Sequence, residues 1–310
     1  ADGGTSWGVE PRGAMSLLRG ALAFGQPRLL APDGARFASL KSLKSRLTSV
    51  KSIQKITKAM KMVAASKLRG AQTRMEASRP FVGSSPAALK EALDTSEAKS
   101  EKHFFLPISS DKGLCGGVNS SVVKATKAMV SRAKEAGEST QLFIVGSKAR
   151  DALVRDFSPL LVANVDEIYQ KPFSWAQAAV LADQVLKSDF DKLSIIYNKF
   201  YSVVRFEVTP LHLGTPALLA ETDKLDAYEV DEEEDAEMMA DLFQFELASR
   251  LFNCVLENST SENASRMTAM DNASKNAKDM ITKLQVVYNR QRQAVITTEL
   301  NEIISGAESL

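Results

Sequence analysis

The sequence predicts an α/β protein in which a Rossmann-like α/β domain is inserted between two long terminal helices that pair as an antiparallel coiled coil. Three observations carry this expectation. The stretch Ala217–Ser305 contains neither glycine nor proline, the residues that most often end a helix. Ala35–Arg69 shares that property. Between them, short apolar runs alternate with amphipathic segments, which argues for a layered domain with a mostly parallel sheet.

The C-terminal stretch carries the longest pattern. Met267, Met270, Ser274, Ala277, Ile281, Leu284, Tyr288, Gln291, Val295 and Thr298 recur at alternating steps of three and four. That is the a/d seam of a helix meeting another helix along its length. A helix from near Ala236 to Ser305 would be on the order of 100 Å long, several times the ~30 Å width of a small domain. It needs a partner helix and a socket in another protein. The N-terminal helix begins with Leu40, Leu43, Leu47 and Val50 in step. Ile53, Ile56, Met60 and Val63 then resume out of phase, which predicts a stammer in the seam. The helix is expected to run through Met75 and to end or bend at Arg79-Pro80, with a further helical piece over Ala87–Leu93. The two helices lie at opposite ends of the chain, so they pair only if the middle folds back.

In the middle, Phe104–Ile108, Leu142–Val145, Leu160–Val165, Leu193–Tyr197 and Val203–Val208 read as strands. Ser120–Glu135, Lys148–Arg155 and Trp175–Lys187 read as helices. The expected division is a leader over 1–36, an N-terminal coiled-coil helix over 37–95 and an α/β domain over 103–213. An acidic connector over 214–235 and a C-terminal helix over 236–310 complete it.

Composition excludes several classes. The 310 residues are 44% hydrophobic and 25% charged with a net charge of +1, ordinary for a globular chain. Two distant cysteines, Cys115 and Cys254, make no disulfide framework or zinc site and point to a reducing compartment. No apolar run approaches the ~20 residues of a membrane span. Met15–Arg36 carries three arginines and one acid, as organellar targeting segments do, which suggests an organellar protein that keeps an N-terminal extension. Glu221–Asp241 holds eleven acidic residues against one lysine. The run Asp231–Asp235 would repel itself within a helix, so the C-terminal helix is expected to begin near Ala236.

Two features could carry chemistry or binding. The turn Ser109–Asn119, with Gly113, Gly116 and Gly117, follows a strand and precedes a helix, where α/β domains cradle phosphates. It has neither G-x-G-x-x-G nor Gly-Lys-Ser/Thr spacing, so glycines that make a tight turn are the better reading. Cys115 sits in this turn, and His103 and His212 are the only histidines; a Cys/His catalytic pair lacks any motif. The second feature is charge: Lys41–Arg79 contains eleven Lys or Arg and a single acid, Glu76. A net excess of that size asks for an acidic partner, either nucleic acid or an acidic protein surface. Nucleic acid is disfavoured because apolar seam residues, not stacking aromatics, separate the lysines.

Three separated motifs carry a family resemblance. Ser49–Leu68, the turn Ser110-Asp111-Lys112-Gly113-Leu114-Cys115-Gly116-Gly117, and Ser265-Arg266-Met267 with the tail Ile296–Ser309 resemble the ATP synthase gamma-subunit family, over about Leu40 to Leu310. The resemblance implies a central shaft without catalytic groups or a bound cofactor. Its terminal helices would stand inside a ring of catalytic alpha and beta subunits, and its α/β domain would rest against delta/epsilon central-stalk subunits and the membrane c-ring. It implies contacts with the catalytic ring at Lys51, Lys55, Lys58, Met60, Lys61, Met62, Lys67, Arg292, Gln293, Thr297 and Glu302. It places Tyr228 and Glu229 at the foot that meets the rotor ring. Plastid members carry a cysteine-bearing insert that is missing here, so light-linked thiol control is not expected. With the leader, the expected setting is the matrix side of the mitochondrial inner membrane. A nucleotide-binding α/β protein with a coiled-coil oligomerisation arm is the alternative reading.

Overall fold

In the computed structural model, the described residues are 40–83, 101–215 and 235–309. They fall into two compact units: the helix ends, up to Thr48 and from Leu284 onward, and Ser49–Lys283. The leader, Ala87–Leu93 and most of the acidic connector lie outside the described residues.

Within Ser49–Lys283 the apolar runs of the middle sequence form one five-stranded sheet. Its strands are β1 (Lys102–Pro107), β2 (Ser139–Val145), β3 (Leu161–Val165), β4 (Lys192–Phe200) and β5 (Phe206–Gly214), in the order β3-β2-β1-β4-β5. β1 to β4 run parallel, and β5 returns antiparallel to β4. The helices between strands are α2 (Val118–Glu135), α3 (Ser147–Phe157) and α4 (Trp175–Leu186). Side-chain alternation along a strand divides the interior into two cores. Phe105, Leu142, Ile144 and Ile196 pack with Val122 and Val130 of α2 and Leu153 of α3. Phe104, Leu106, Phe143, Leu193 and Ile195 pack with Leu181 and Val185 of α4. The second core also takes residues from the two long helices, α1 (Leu40–Gly83) and α5 (Asp235–Glu308). Leu68 and Met75 come from α1, and Leu247, Leu251 and Val255 from α5.

One strand departs from expectation. Val203 and Val204 are not in a strand: Tyr201–Arg205 forms the hairpin turn, where Arg205 N–H donates to the Ser202 carbonyl at 3.2 Å. β5 starts at Phe206 and runs on through Pro210, opposite Ile196. A proline, lacking an N–H, is tolerated there because β5 is an edge strand. Among the described residues Val204 is the most exposed large apolar side chain at 83%, so β-branching misled the sequence reading.

The long helices also correct the sequence reading. α1 does not end at Arg79-Pro80 but continues to Gly83 with Pro80 inside it. Nor does its seam stammer. In the Ser49–Lys283 unit the row of buried or half-buried positions facing α5 runs Val50, Gln54, Thr57, Lys61, Ala64, Leu68, Ala71, Met75 and Ser78 at unbroken steps of three and four, with Met60 and Gln72 half-buried at its edges. Ile53, Ile56 and Val63, assigned to the seam by their hydrophobicity, are more than half exposed. Across this seam Lys61 donates to Asp271 at 2.6 Å, Ser78 to Asn253 at 3.0 Å, and Arg79 to Glu257 at 2.7 Å. Lys61 meets position 271, whereas Ser78 and Arg79, about five turns further along α1, meet positions 253 and 257, so the helices are antiparallel. In the unit of helix ends, Leu284, Tyr288 and Gln291 are half-buried, whereas Val295 and Thr298 are exposed. The seam therefore stops at Gln291.

Between Glu246 and Ser265, α5 is buried on nearly all sides, polar residues included. The polar residues are satisfied in pairs: Arg250 donates to Glu246 at 2.6 Å, and Arg266 pairs with Glu262. Glu257, 2% exposed, is gripped by Arg79 of α1 through Nε and Nη2 and by the Phe200 N–H at the end of β4, at 2.7 Å. The same Arg79 Nη2 reaches the Phe200 carbonyl at 2.5 Å. One ion pair thus ties both long helices to the sheet.

Two stability predictions follow from these contacts. Replacing Arg79 with Met strands the Glu257 carboxylate; because Arg79 is itself partly exposed, we expect a loss of about 2–3 kcal/mol, somewhat below that for a fully buried pair, in chemical denaturation of the full chain. Gly146 has φ +96°, and a Cβ there would lie 2.5 Å from the Ser109 carbonyl oxygen. Gly146→Ala should cost about 3 kcal/mol or more by the same measurement.

Candidate contact surface

A helix placed at ~100° per residue leaves two flanks beside its buried seam. On α1, Lys51, Lys55, Lys58 and Met62 form one exposed stripe, about 110° round from the seam. Ile53, Ile56, Val63 and Lys67 form a second on the other flank, with half-buried Met60 among them. The first is basic and the second apolar. Ile56 and Met62 are 57% and 62% exposed, so large apolar side chains stand in solvent beside the lysines. Lys61 differs from its neighbours. It turns into the seam and shares Asp271 with Lys275, whose Nζ lies 2.8 Å from the carboxylate. Hydrogen bonds from Lys275 and Lys61 hold the Asp271 carboxyl down to about 2.

Arg292, Gln293, Thr297 and Glu302 lie on α5 in the unit of helix ends, and all are exposed. The Thr297 hydroxyl donates to the Gln293 carbonyl at 2.9 Å. Ile296, Leu300, Ile303 and Ile304 are also exposed, at spacings that put them on one side of the helix. The sequence reading missed these four, together with the outward role of Ile53, Ile56 and Val63. The signal was present: the phase of Leu40, Leu43, Leu47 and Val50 continues through Gln54, Thr57, Lys61 and Ala64 without a break. Tyr228 and Glu229 lie outside the described residues.

The glycine turn has a structural task. It leaves β1 beside β4, where the strand order reverses and open α/β sheets hold their ligands. Here α5 occupies that crevice. Ser265 Oγ donates to the Cys115 carbonyl at 2.6 Å, and Ser261 Oγ to the Asn198 carbonyl at 3.1 Å. Asn198 donates to Asn258 Oδ1 at 2.8 Å, and Asn198, Asn258 and Ser261 are fully buried. Gly116, at φ +61°, must be glycine: a Cβ would lie 2.8 Å from Ser265 Oγ. Cys115 is buried, and burial pushes its thiol up, away from the reactive thiolate; Cys254 is raised for the same reason. His103 and Cys115 make no contact that would build a Cys/His pair. Burial also raises the Glu262 carboxyl, against the pull of Arg266. Among the described residues there is no metal-ligating cluster, and no helix is long and apolar enough to cross a membrane.

Comparison with known proteins accounts for this arrangement. The ATP synthase family model matches residues 39–310. The gamma subunit of mitochondrial ATP synthase from Arabidopsis thaliana is 44% identical over 89% of this chain and 87% of its own length. The ATP synthase gamma chain of Paramagnetospirillum magneticum is 42% identical over 88% of this chain and 100% of its own. Among solved structures, a chain from the central stalk and c-ring of Tetrahymena thermophila mitochondrial ATP synthase superposes with a TM-score of 0.61 at 35% identity, covering 71% of this chain and 99% of that one. The paired long helices, the sheet set between them in sequence and the match over nearly the whole described chain agree: the protein belongs to the ATP synthase gamma-subunit family.

Proposed function

We propose that this chain is the central shaft of a proton-driven rotary ATP synthase: it turns inside the catalytic ring and couples proton flow through the membrane rotor to ATP synthesis or hydrolysis. The observation that carries this reading is the outward face of α1, with exposed lysines on one flank and exposed isoleucine and valine on the other. A shaft must touch a surrounding ring without binding one subunit permanently. Exposed lysines suit that task because their field is screened within about 8 Å at physiological salt. They favour acidic loops that come close and release them as the shaft turns, so each catalytic site experiences a different bias in turn. The apolar flank supplies a low-friction, non-directional contact.

In this reading the chain contributes no catalytic group and binds no cofactor, since ATP chemistry belongs to the surrounding ring. Its partners are the alpha and beta subunits of the ring, reached by Lys51, Lys55, Lys58, Met60, Met62 and Lys67 of α1 and by Arg292, Gln293, Thr297 and Glu302 of α5. Lys61 serves the same surface indirectly, by fixing α1 against α5 through Asp271. Residues 103–213 form the base, next to delta/epsilon stalk subunits and the c-ring, with Tyr228 and Glu229 at the foot. The mitochondrial relatives and the arginine-containing leader support a place on the matrix side of the inner membrane, peripheral to it and without nucleic acid as a partner. The nucleotide-binding alternative is disfavoured because Asn258, Ser261 and Ser265 already engage the crevice a nucleotide would need.

Charge reversal at Lys51, Lys55 and Lys58 together, leaving Lys61 intact, tests the surface. We expect the complex to assemble while ATP-driven proton pumping falls several-fold relative to ATP hydrolysis; unchanged pumping would reduce the lysines to a solvated face. Equilibrium dialysis of the isolated chain against ATP should show no saturable binding at millimolar nucleotide.

A further inference from the structure

The chain contains two histidines, and both end on the same buried serine. His103 lies in β1, Ser194 in β4 and His212 in β5, and the sheet register sets Ser194 between Phe105 and His212. His103 Nδ1 is 2.8 Å from the Glu138 carboxylate, in the turn between α2 and β2. Its Nε2 is 2.6 Å from Ser194 Oγ, which lies 2.7 Å from His212 Nδ1. Ser194 is fully buried and His103 nearly so, its ring stacked on Phe105 at 4.0 Å.

Donor and acceptor chemistry fixes the direction of this chain. A carboxylate only accepts, so His103 carries its proton on Nδ1. Neutral Nε2 must then accept from the Ser194 hydroxyl, which in turn accepts from a proton on His212 Nδ1. Every link is satisfied with both rings neutral. The charged groups acting on His103 are Glu138, which favours the imidazolium, and Lys192 of β4, which opposes it. Burial is the largest influence, and it lowers the proton affinity of His103 below the ordinary histidine value.

A proton arriving at His103 Nε2 reverses the chain. Nε2–H then donates to Ser194. The hydroxyl oxygen has lone pairs for both rings, but its own hydrogen would then be left without a partner in a fully buried place, so it turns toward His212 Nδ1. That nitrogen already carries a hydrogen, so His212 must move it to Nε2 or give up the contact. We propose that Glu138, His103, Ser194 and His212 form one proton-binding site spanning β1, β4 and β5, in which proton uptake at His103 switches the tautomer of His212 and loosens the β5 edge of the domain. The sign for stability follows from the lowered affinity. The contribution is present above the ordinary histidine value of about 6.5 and is lost as pH falls through the lower folded value.

The test uses the full chain with 15N-labelled histidine, in which two rings give the entire imidazole spectrum. Between pH 8 and pH 5 we expect both rings to start protonated on Nδ1. His212 should change tautomer, or lose its Ser194 contact, at the same midpoint at which His103 gains its proton. That midpoint should lie below ~6.5, and amide exchange in β5 should rise on its acid side. Ser194→Ala should split the transition into two independent midpoints. Where that variant fails to fold, His212→Gln gives the equivalent readout, a displaced His103 midpoint. Two rings in the wild-type chain that titrate at separate midpoints, with His212 keeping one tautomer throughout, would overturn the proposal.

Discussion

Arg79, Glu257 and Phe200 hold the architecture together. Glu257 is a carboxylate placed where water cannot reach it, and such a charge persists only with full compensation. The compensation comes from two directions at once: the fork of Arg79 on one long helix and the backbone N–H of Phe200 at the end of a central strand. Because Arg79 also caps the Phe200 carbonyl, no two of the three elements can part without stranding a charge or a backbone group. A shaft that transmits force between its helices and its base needs a joint of this kind. Apolar packing alone can slide, whereas a bidentate pair has a fixed geometry.

Much of the fold was legible in the sequence because its signals were periodic. The apolar runs at Phe104, Leu142, Leu160 and Leu193 give all four parallel strands, and their alternation with amphipathic segments gives the layering. Two readings failed for an identifiable reason. Hydrophobicity was taken as a proxy for burial at Ile53, Ile56 and Val63 and at Val203 and Val204. Ile53, Ile56, Val63 and Val204 stand outside, while Val203 is half-buried against the core from the hairpin turn and not from a strand. The true seam uses Gln54, Thr57, Lys61 and Ala64, which only phase could have identified. Pro80 misled in the opposite direction: a local helix-breaker was overridden by the contacts of Arg79 and by Phe81, whose ring meets Trp175 at 5.5 Å.

The candidate surface was less legible than the fold. Lys61 looked like its basic neighbours, yet its partner Asp271 is remote in sequence and belongs to the same chain. The glycine turn illustrates the same limit. Its placement after β1 is that of a phosphate cradle, but the crevice is closed by serine and asparagine side chains of α5. A fold that binds nucleotides elsewhere is here turned into a mount for a helix, and function follows from the site and not from the fold.

The claim that this chain is a rotating shaft is tested most directly by watching it turn. Cys115 and Cys254 are both buried, so a cysteine introduced at the exposed Lys187, just past the end of α4, gives one labelling point on the α/β domain. With the catalytic ring fixed to a surface and a visible probe on that cysteine, ATP should drive continuous rotation of the probe in one direction. A probe that stays fixed relative to the ring while ATP is hydrolysed would contradict the account.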